Sequence, residues 1–118
     1  MKAELKNYRQ SPRKVRLVAD LVKGLSVQEA LTELDFLAKR AALPLKKLIQ
    51  SAVANAINNG NQKESELIIR NITVDKGITL KRHMPVSRGS AHPIHKHTSR
   101  VIVTLSNSET KSKKSKKK

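Results

Sequence analysis

All four histidines of the chain lie in one basic stretch that contains no acidic residue. Residues 76–108 include no Asp or Glu and few large apolar side chains. Such a segment cannot bury a core and repels itself, so it needs a polyanionic partner to become ordered, most commonly a nucleic acid. Its cations and histidines are Lys76, Lys81, Arg82, His83, Arg88, His92, His95, Lys96, His97 and Arg100.

Three of these histidines are close enough in sequence to suggest zinc binding, since zinc accepts three imidazole ligands. No Cys, Asp or Glu in the segment could complete or orient a site made by His92, His95 and His97, and Pro93 interrupts their register. Polar or nucleic-acid contacts are therefore favoured for the histidines. We expect no metal and no other cofactor.

Catalytic chemistry is not supported by any residue spacing. The four glycines of the chain match no phosphate-binding motif. The carboxylates Glu29, Glu33 and Asp35 fall on a predicted exposed helix face, and no serine and histidine have the spacing of a nucleophile and its base. We expect the protein not to be an enzyme.

A second basic cluster surrounds a predicted helix start at Ser11 and Pro12. Serine can accept hydrogen bonds from the first free amides, and proline suits the first helical position. Free amides and the positive end of the helix dipole attract phosphate and add to the side-chain charge. The alternative is a basic helix face that only meets solvent. The cations of this cluster are Arg9, Arg13, Lys14 and Arg16.

Composition narrows the class of partner. A chain of 118 residues with a formal net charge of +16 suits one domain that binds nucleic acid or an anionic membrane. No apolar run approaches the roughly 20 residues that span a bilayer, and no signal peptide or disulfide is expected, so we expect a cytoplasmic protein without membrane contact. Tyr8 and Phe36 are the only aromatic residues, which excludes base recognition on aromatic platforms. The partner must then be held by phosphate contacts and shape.

Hydrophobic periodicity predicts three helices. The first runs from Ser11 to a stop at Gly24, and the second opens with a capping box formed by Ser26 and Glu29. The third has Pro44 in its first turn and ends at residues 58–60. The predicted buried stripe of the first helix contains Val15, Val18 and Val22 with Leu17 and Leu21. That of the third contains Leu45, Leu48, Ile49, Ala52, Val53, Ala56 and Ile57.

Alternating apolar residues predict three strands at residues 2–8, 67–74 and 101–105, with a bulge near residues 70–71. The expected fold is α+β: three helices packed on a small three-stranded antiparallel sheet. Between the last two strands we expect a long protruding hairpin over about residues 78–100, with residues 78–87 reaching roughly 30 Å. A disordered loop is the alternative. The domain is expected to span residues 1–108, followed by a disordered lysine-rich tail at residues 109–118.

Three segments carry a resemblance to a known family. They are SPRKVRLVADLVKG at residues 11–24, KKLIQSAVANAINN at residues 46–59, and GITLKRHMP followed by SRGSA and KHTSRVIV. They resemble the large-subunit ribosomal protein L twenty-two family in its bacterial form, over about residues 6–105. Histidines stand in the hairpin where this family commonly has arginine or lysine.

The resemblance implies a non-enzymatic structural constituent of the large ribosomal subunit that acts as a monomer within the ribosome. Its implied partners are large-subunit ribosomal RNA, neighbouring ribosomal proteins and the nascent polypeptide. Its globular body would lie at the polypeptide exit and help assembly, while the hairpin would line the exit tunnel. Implied RNA contacts fall on Ser11, Arg13, Lys14 and Arg16 and on Lys81, Arg82, Arg88, Lys96, Thr98 and Ser99. The implied tunnel-facing tip is Met84, Pro85, Val86, Ser87, Arg88, Gly89, Ser90 and Ala91.

One alternative from another class is a free-standing architectural DNA-binding protein. Such a protein is expected to have a dimer surface or an apolar wedge at the tip of its arm. Met84 is the only candidate wedge in the predicted tip.

Overall fold

The computed structural model describes residues 1–107, and this part of the chain contains three α-helices and five strands. The predicted tail at residues 109–118, and with it the domain boundary at residue 108, lies outside the described residues. The elements are β1 (Lys2–Tyr8), α1 (Pro12–Val22), α2 (Val27–Phe36), α3 (Ala42–Gly60), β2 (Leu67–Lys76), β3 (Leu80–Pro85), β4 (Ala91–Lys96) and β5 (Ser99–Asn107).

The α+β prediction is confirmed, with the five strands divided between two sheets. The larger sheet has three strands in the order β1-β5-β2, and both pairings are antiparallel. Val101, Val103 and Leu105 alternate along the central strand and are all buried beneath the helices, as strand geometry requires of one sheet face. The predicted bulge is present, because the register of β2 against β5 shifts between Ile69 and Asn71.

The predicted start of α1 is confirmed, but its buried stripe is narrower than the sequence suggested. Val15, Val18 and Val22 are buried against the core, as predicted, whereas Leu17 and Leu21 are 68% and 59% exposed. These two leucines lie on the flank of the helix. No described element covers that flank, because α1 packs on β2 through the face that carries the three buried valines. Their predicted burial is therefore wrong.

The predicted helix caps have mixed outcomes. The capping box of α2 is present, since Ser26 Oγ accepts from the Glu29 amide and the Glu29 carboxylate accepts from the Ser26 amide. The Ser26 hydroxyl also donates to the Glu29 carboxylate at 2.8 Å, and this hydrogen bond, together with that from the Ser26 amide, lowers the pKa of the Glu29 carboxyl. At Ser11, in contrast, only the backbone carbonyl accepts, from the amides of Lys14 and Val15, and the predicted side-chain cap is absent.

Helix α3 packs on β1 and β5 and supplies much of the core. Its first turn contains Pro44, as predicted, and it ends after Gly60 with Asn61 in the left-handed conformation. The one predicted core residue of this helix that is not buried is Ile57, which is 43% exposed.

The acid-free segment contains the predicted hairpin, with tighter bounds than expected. Strands β3 and β4 pair in register from Leu80 opposite Lys96 to Pro85 opposite Ala91, and neither strand contains a buried residue. A short turn at Ser87–Gly89 joins them. Each six-residue strand extends about 20 Å, which is shorter than the predicted reach of roughly 30 Å. Residues 99–100 belong to the body and not to the hairpin, because they begin β5.

We expect amides of residues 80–96 to exchange rapidly with solvent in the free protein. A two-stranded sheet without a covering layer is only marginally stable in water, whereas α3 lies in the cooperative core. Hydrogen exchange followed by NMR tests this expectation. Protection of the hairpin equal to that of residues 45–57 would contradict it.

Candidate nucleic-acid interface

Two adjoining depressions unite the two basic clusters that the sequence indicated. Their volumes are about 520 and 360 Å³, and they share Ser11 and His97. We call this surface the basic groove. Its lining residues are Arg9, Gln10, Ser11, Pro12, Arg13, Lys14, Arg16, Arg40, Lys76, Lys96 and His97.

Five pieces of backbone position the side chains of the groove. The linker between β1 and α1 supplies Arg9 and Ser11, and the start of α1 supplies Arg13, Lys14 and Arg16. The ends of β2 and β4 supply Lys76, Lys96 and His97 at the hairpin base, and Arg40 comes from the connection between α2 and α3. No acidic side chain lines the groove within the described part of the chain. Uncompensated cations around a helix N-terminus form a surface suited to phosphate groups.

Two hydroxyls that the resemblance assigned to RNA contact are instead structural. Thr98 and Ser99 are 3% and 0% exposed. Thr98 Oγ1 donates to the Ile78 carbonyl at 2.5 Å, and Ser99 Oγ donates to the Gln10 carbonyl at 2.5 Å. Because burial puts both hydroxyls out of reach of RNA, their assignment as RNA-binding residues is corrected. They fix the hairpin base and the linker.

The hairpin base also requires a glycine. The Gly77 amide donates to the Thr98 carbonyl at 2.8 Å, and a Cβ at position 77 would collide with Thr98 Oγ1. Glycine thus allows the two chain segments to approach closely where the arm leaves the body.

Arg16 connects the groove to the sheet. Its Nε and Nη2 atoms donate to the Val74 carbonyl at 3.0 and 2.9 Å, which holds α1 against β2. Its charge still faces the groove. Arg13 and Lys14 are exposed and form no ion pair with any described residue, so they are the cations of the first helical turn most available to phosphate.

Replacing Ser99 with Ala is expected to lower the free energy of unfolding by about 1–2 kcal/mol. The change leaves the Gln10 carbonyl without the buried donor that holds the linker. Chemical denaturation measures the loss, and Ser51→Ala, at an exposed position on α3, is the control. Equal stability of the two variants would show that the Ser99 hydroxyl does not hold the linker.

The remaining hairpin candidates are dispersed along the arm. Their side chains are all exposed: Lys81, Arg82, His83, Arg88, His92 and His95. The rings of His95 and His97 stack with centroids 6.3 Å apart. Residues 1–107 contain no group of three or more possible ligands arranged to hold a metal ion.

Arg100 lies on the body beside the hairpin base. Its Nε donates to the Glu4 carboxylate, and this hydrogen bond lowers the pKa of the Glu4 carboxyl. Lys6 and Lys76 line the same depression, of about 380 Å³. Because its charge is already paired, Arg100 is a weaker phosphate ligand than the unpaired groove cations.

Arg40, Gln10 and Lys76 are groove residues that the predicted RNA-binding set omitted. Arg40 lies in the short connection between α2 and α3, and its carbonyl oxygen lies 3.3 Å from the Tyr8 hydroxyl oxygen. The adjacent basic pair at residues 39–40 was the available sequence signal. Nothing in the spacing placed that pair beside the first helix.

The predicted tip is the exposed end of the hairpin. The Val86 amide donates to the Ser90 carbonyl at 2.9 Å and closes the turn. Within it Arg88 and Gly89 both have positive φ, at +58° and +70°. Met84 is 50% exposed. Apart from Arg88 the tip contains no cation, unlike the groove.

Comparison with known proteins identifies the family. The profile of the family described as ribosomal protein L22p/L17e matches residues 3–106. Three similar proteins are each named large ribosomal subunit protein uL22. The one from Pelobacter propionicus is 49% identical over 91% of this chain and 96% of its own length. That from Mycoplasma capricolum is 46% identical over 89% and 95%, and that from Herpetosiphon aurantiacus 45% over 92% and 96%.

No helix in residues 1–107 is long and apolar enough to cross a membrane.

The family profile covers the body and the whole hairpin, and the relatives match nearly their full length. The chain therefore belongs to the ribosomal protein L22p/L17e family, whose members are structural and non-enzymatic.

Proposed function

We propose that this protein is a structural constituent of the large ribosomal subunit and binds large-subunit ribosomal RNA through the basic groove and hairpin. It acts in the cytoplasm, within the ribosome. The observation that carries the proposal is the gathering of seven cations on one surface that no described acidic side chain lines. Those cations are Arg9, Arg13, Lys14, Arg16, Arg40, Lys76 and Lys96.

The groove lies where the arm joins the body, and this position suits a role in assembly. RNA bound there touches the α1 cluster and the hairpin base together, through residues such as Lys14 and Lys96. A bound phosphate backbone would fix the direction of the arm relative to the body. The protein would thereby stabilise a particular arrangement of RNA segments and of neighbouring ribosomal proteins.

The hairpin tip has a different role in the proposal. Residues 84–91 are small or flexible and include a single cation, so they offer few phosphate contacts. We infer that the tip lines the nascent-peptide exit tunnel, with the nascent polypeptide as its partner. In this proposal the base of the hairpin anchors the protein to RNA, and the tip of the hairpin shapes the tunnel.

An architectural DNA-binding role is the alternative. Met84 remains the only apolar side chain of the tip large enough to act as a wedge and at least half exposed. Exposure of one methionine also suits a tunnel wall, so it does not favour DNA. The family membership of the chain favours the ribosomal role.

Sedimentation of ribosomal subunits through a sucrose gradient at high salt tests the proposal. Buried contacts with structured RNA resist screening better than surface charge pairs do. The protein should remain with large subunits at about one copy per particle. Release into the free fraction, or sedimentation with DNA, would contradict the proposed function.

A further inference from the structure

An apolar pocket opens beside the basic groove. Its volume is about 380 Å³, within the range of about 300–1000 Å³ usual for small-molecule sites. We call it the leucine pocket. Its apolar walls are Leu17, Val18, Leu21, Leu37 and Ala41, and its polar rim is Gln10, Lys14, Lys39 and Arg40.

The protein's own fold leaves this pocket uncovered. Leu17 and Leu21 are the leucines of α1 that periodicity predicted to be buried, and both are more than half exposed. A clustered, exposed apolar surface with a polar rim is characteristic of a binding site. Leucines that are exposed where periodicity predicts burial are expected at functional positions.

The rim connects the leucine pocket to the groove. Gln10, Lys14 and Arg40 line both, so a ligand can occupy the two surfaces together. The Tyr8 hydroxyl donates to Gln10 Oε1 at 2.7 Å and holds the carboxamide in place. The side-chain Nε2 of Gln10 donates to no residue in the described part of the chain, so it is left to donate to a ligand.

We propose that the leucine pocket receives one base extruded from the bound RNA, while the phosphate of that nucleotide stays in the basic groove. This inference rests on the proposed function and adds a base contact to it. The flat face of the base meets the leucine walls, and the Arg40 guanidinium offers a plane on which it can stack. Gln10 offers a hydrogen bond to the base edge.

A nucleotide fits these surfaces better than an apolar protein segment does. The rim has three cations and no acidic side chain, and it continues directly into a phosphate-binding surface. A nucleotide joins an apolar face to an anion over that short distance. The near absence of aromatic residues excludes aromatic platforms, but it does not exclude an aliphatic pocket.

Leu17→Gln tests the inference without changing the charge of the protein. We expect affinity for large-subunit ribosomal RNA to fall about fivefold to tenfold, in line with the loss of one base contact. The slope of affinity against salt should be unchanged, since no phosphate contact is removed. The matched control is Leu43→Gln on α3, where the leucine is 63% exposed and lines a different depression.

Chemical probing of the RNA bases supplies a second measurement. One nucleotide protected by the native protein and by Leu43→Gln should become reactive with Leu17→Gln. Circular dichroism should show that both variants are folded, because both leucines are largely exposed.

The outcomes separate this inference from the proposed function. Equal RNA affinity for both variants would overturn the base pocket while leaving the groove intact. Unchanged RNA affinity with lost incorporation into subunits would overturn it as well, because the pocket would then hold a protein. Failure of the native protein to bind ribosomal RNA would instead overturn the proposed function.

Discussion

Replacing Arg13 and Lys14 together with Gln is expected to weaken binding to large-subunit ribosomal RNA by roughly thirtyfold near 0.1 M salt. Each phosphate contact makes the fall of log affinity with log salt steeper by about 0.7–0.9. Because the variant loses two such contacts, its slope should be flatter by about 1.4–1.8. If roughly six cations are neutralised, the native slope is about −4 to −5. Equilibrium binding measured across a salt series gives both quantities.

The control for this prediction is the double change Lys23→Gln and Lys63→Gln. It removes the same charge from two exposed positions outside the groove, since Lys23 follows the far end of α1 and Lys63 precedes β2. A loss limited to Arg13 and Lys14 indicates contact at the groove. Equal losses in the two double variants would show that only net charge matters.

Shortening the hairpin is expected to change the tunnel without releasing the protein. The variant ends the arm after the His83–Pro93 pair and closes it with an Asn-Gly turn. The tip then retreats by roughly 10 Å. The removed residues include Arg88 and His92 but no cation of the groove, so most phosphate contacts remain. Subunits should contain the normal amount of protein, while sensitivity to tunnel-bound antibiotics or nascent-chain stalling changes.

Lys96→Gln is the companion change to the shortened hairpin. It leaves the tip intact and removes a groove cation at the hairpin base, so it should reduce the amount of protein bound to subunits. The proposed division between base and tip is wrong if the shortened hairpin loses the protein and Lys96→Gln retains it.

Local patterns predicted those parts of the fold that local chemistry determines. The capping box at Ser26 and Glu29, the stop at Gly24 and the bulge after Ile69 each depend on a few neighbouring residues. Alternation and helical periodicity gave the remaining elements to within a few residues, because one face of each must be buried.

The features that could not be predicted from the sequence depend on packing between segments that are far apart in the chain. Periodicity marks an apolar stripe, but its buried width depends on the neighbouring element, and β2 covers only one side of α1, away from Leu17 and Leu21. The acceptor of the Ser99 hydroxyl is 89 positions away in the chain. Arg40 joins the groove only because the connection between α2 and α3 returns to the first helix.

The candidate site shows the same contrast. Charge and the absence of acids identified Arg13, Lys14 and Lys96 from the sequence. Their convergence on one surface required the hairpin base and the α1 linker to meet. That meeting depends on the carbonyls held by Thr98 and Ser99, two residues that the family resemblance assigns to RNA contact.

Cleavage of ribosomal RNA from a tethered iron chelate tests the central claim most directly. The chain has no cysteine, so one introduced cysteine provides a unique attachment point. His97→Cys places the chelate in the groove, Ser87→Cys at the tip, and Lys63→Cys outside both. In reconstituted large subunits, the first two should each cut a distinct set of nucleotides, and more strongly than the third. Cleavage from position 97 no stronger than from position 63 would contradict RNA binding in the basic groove.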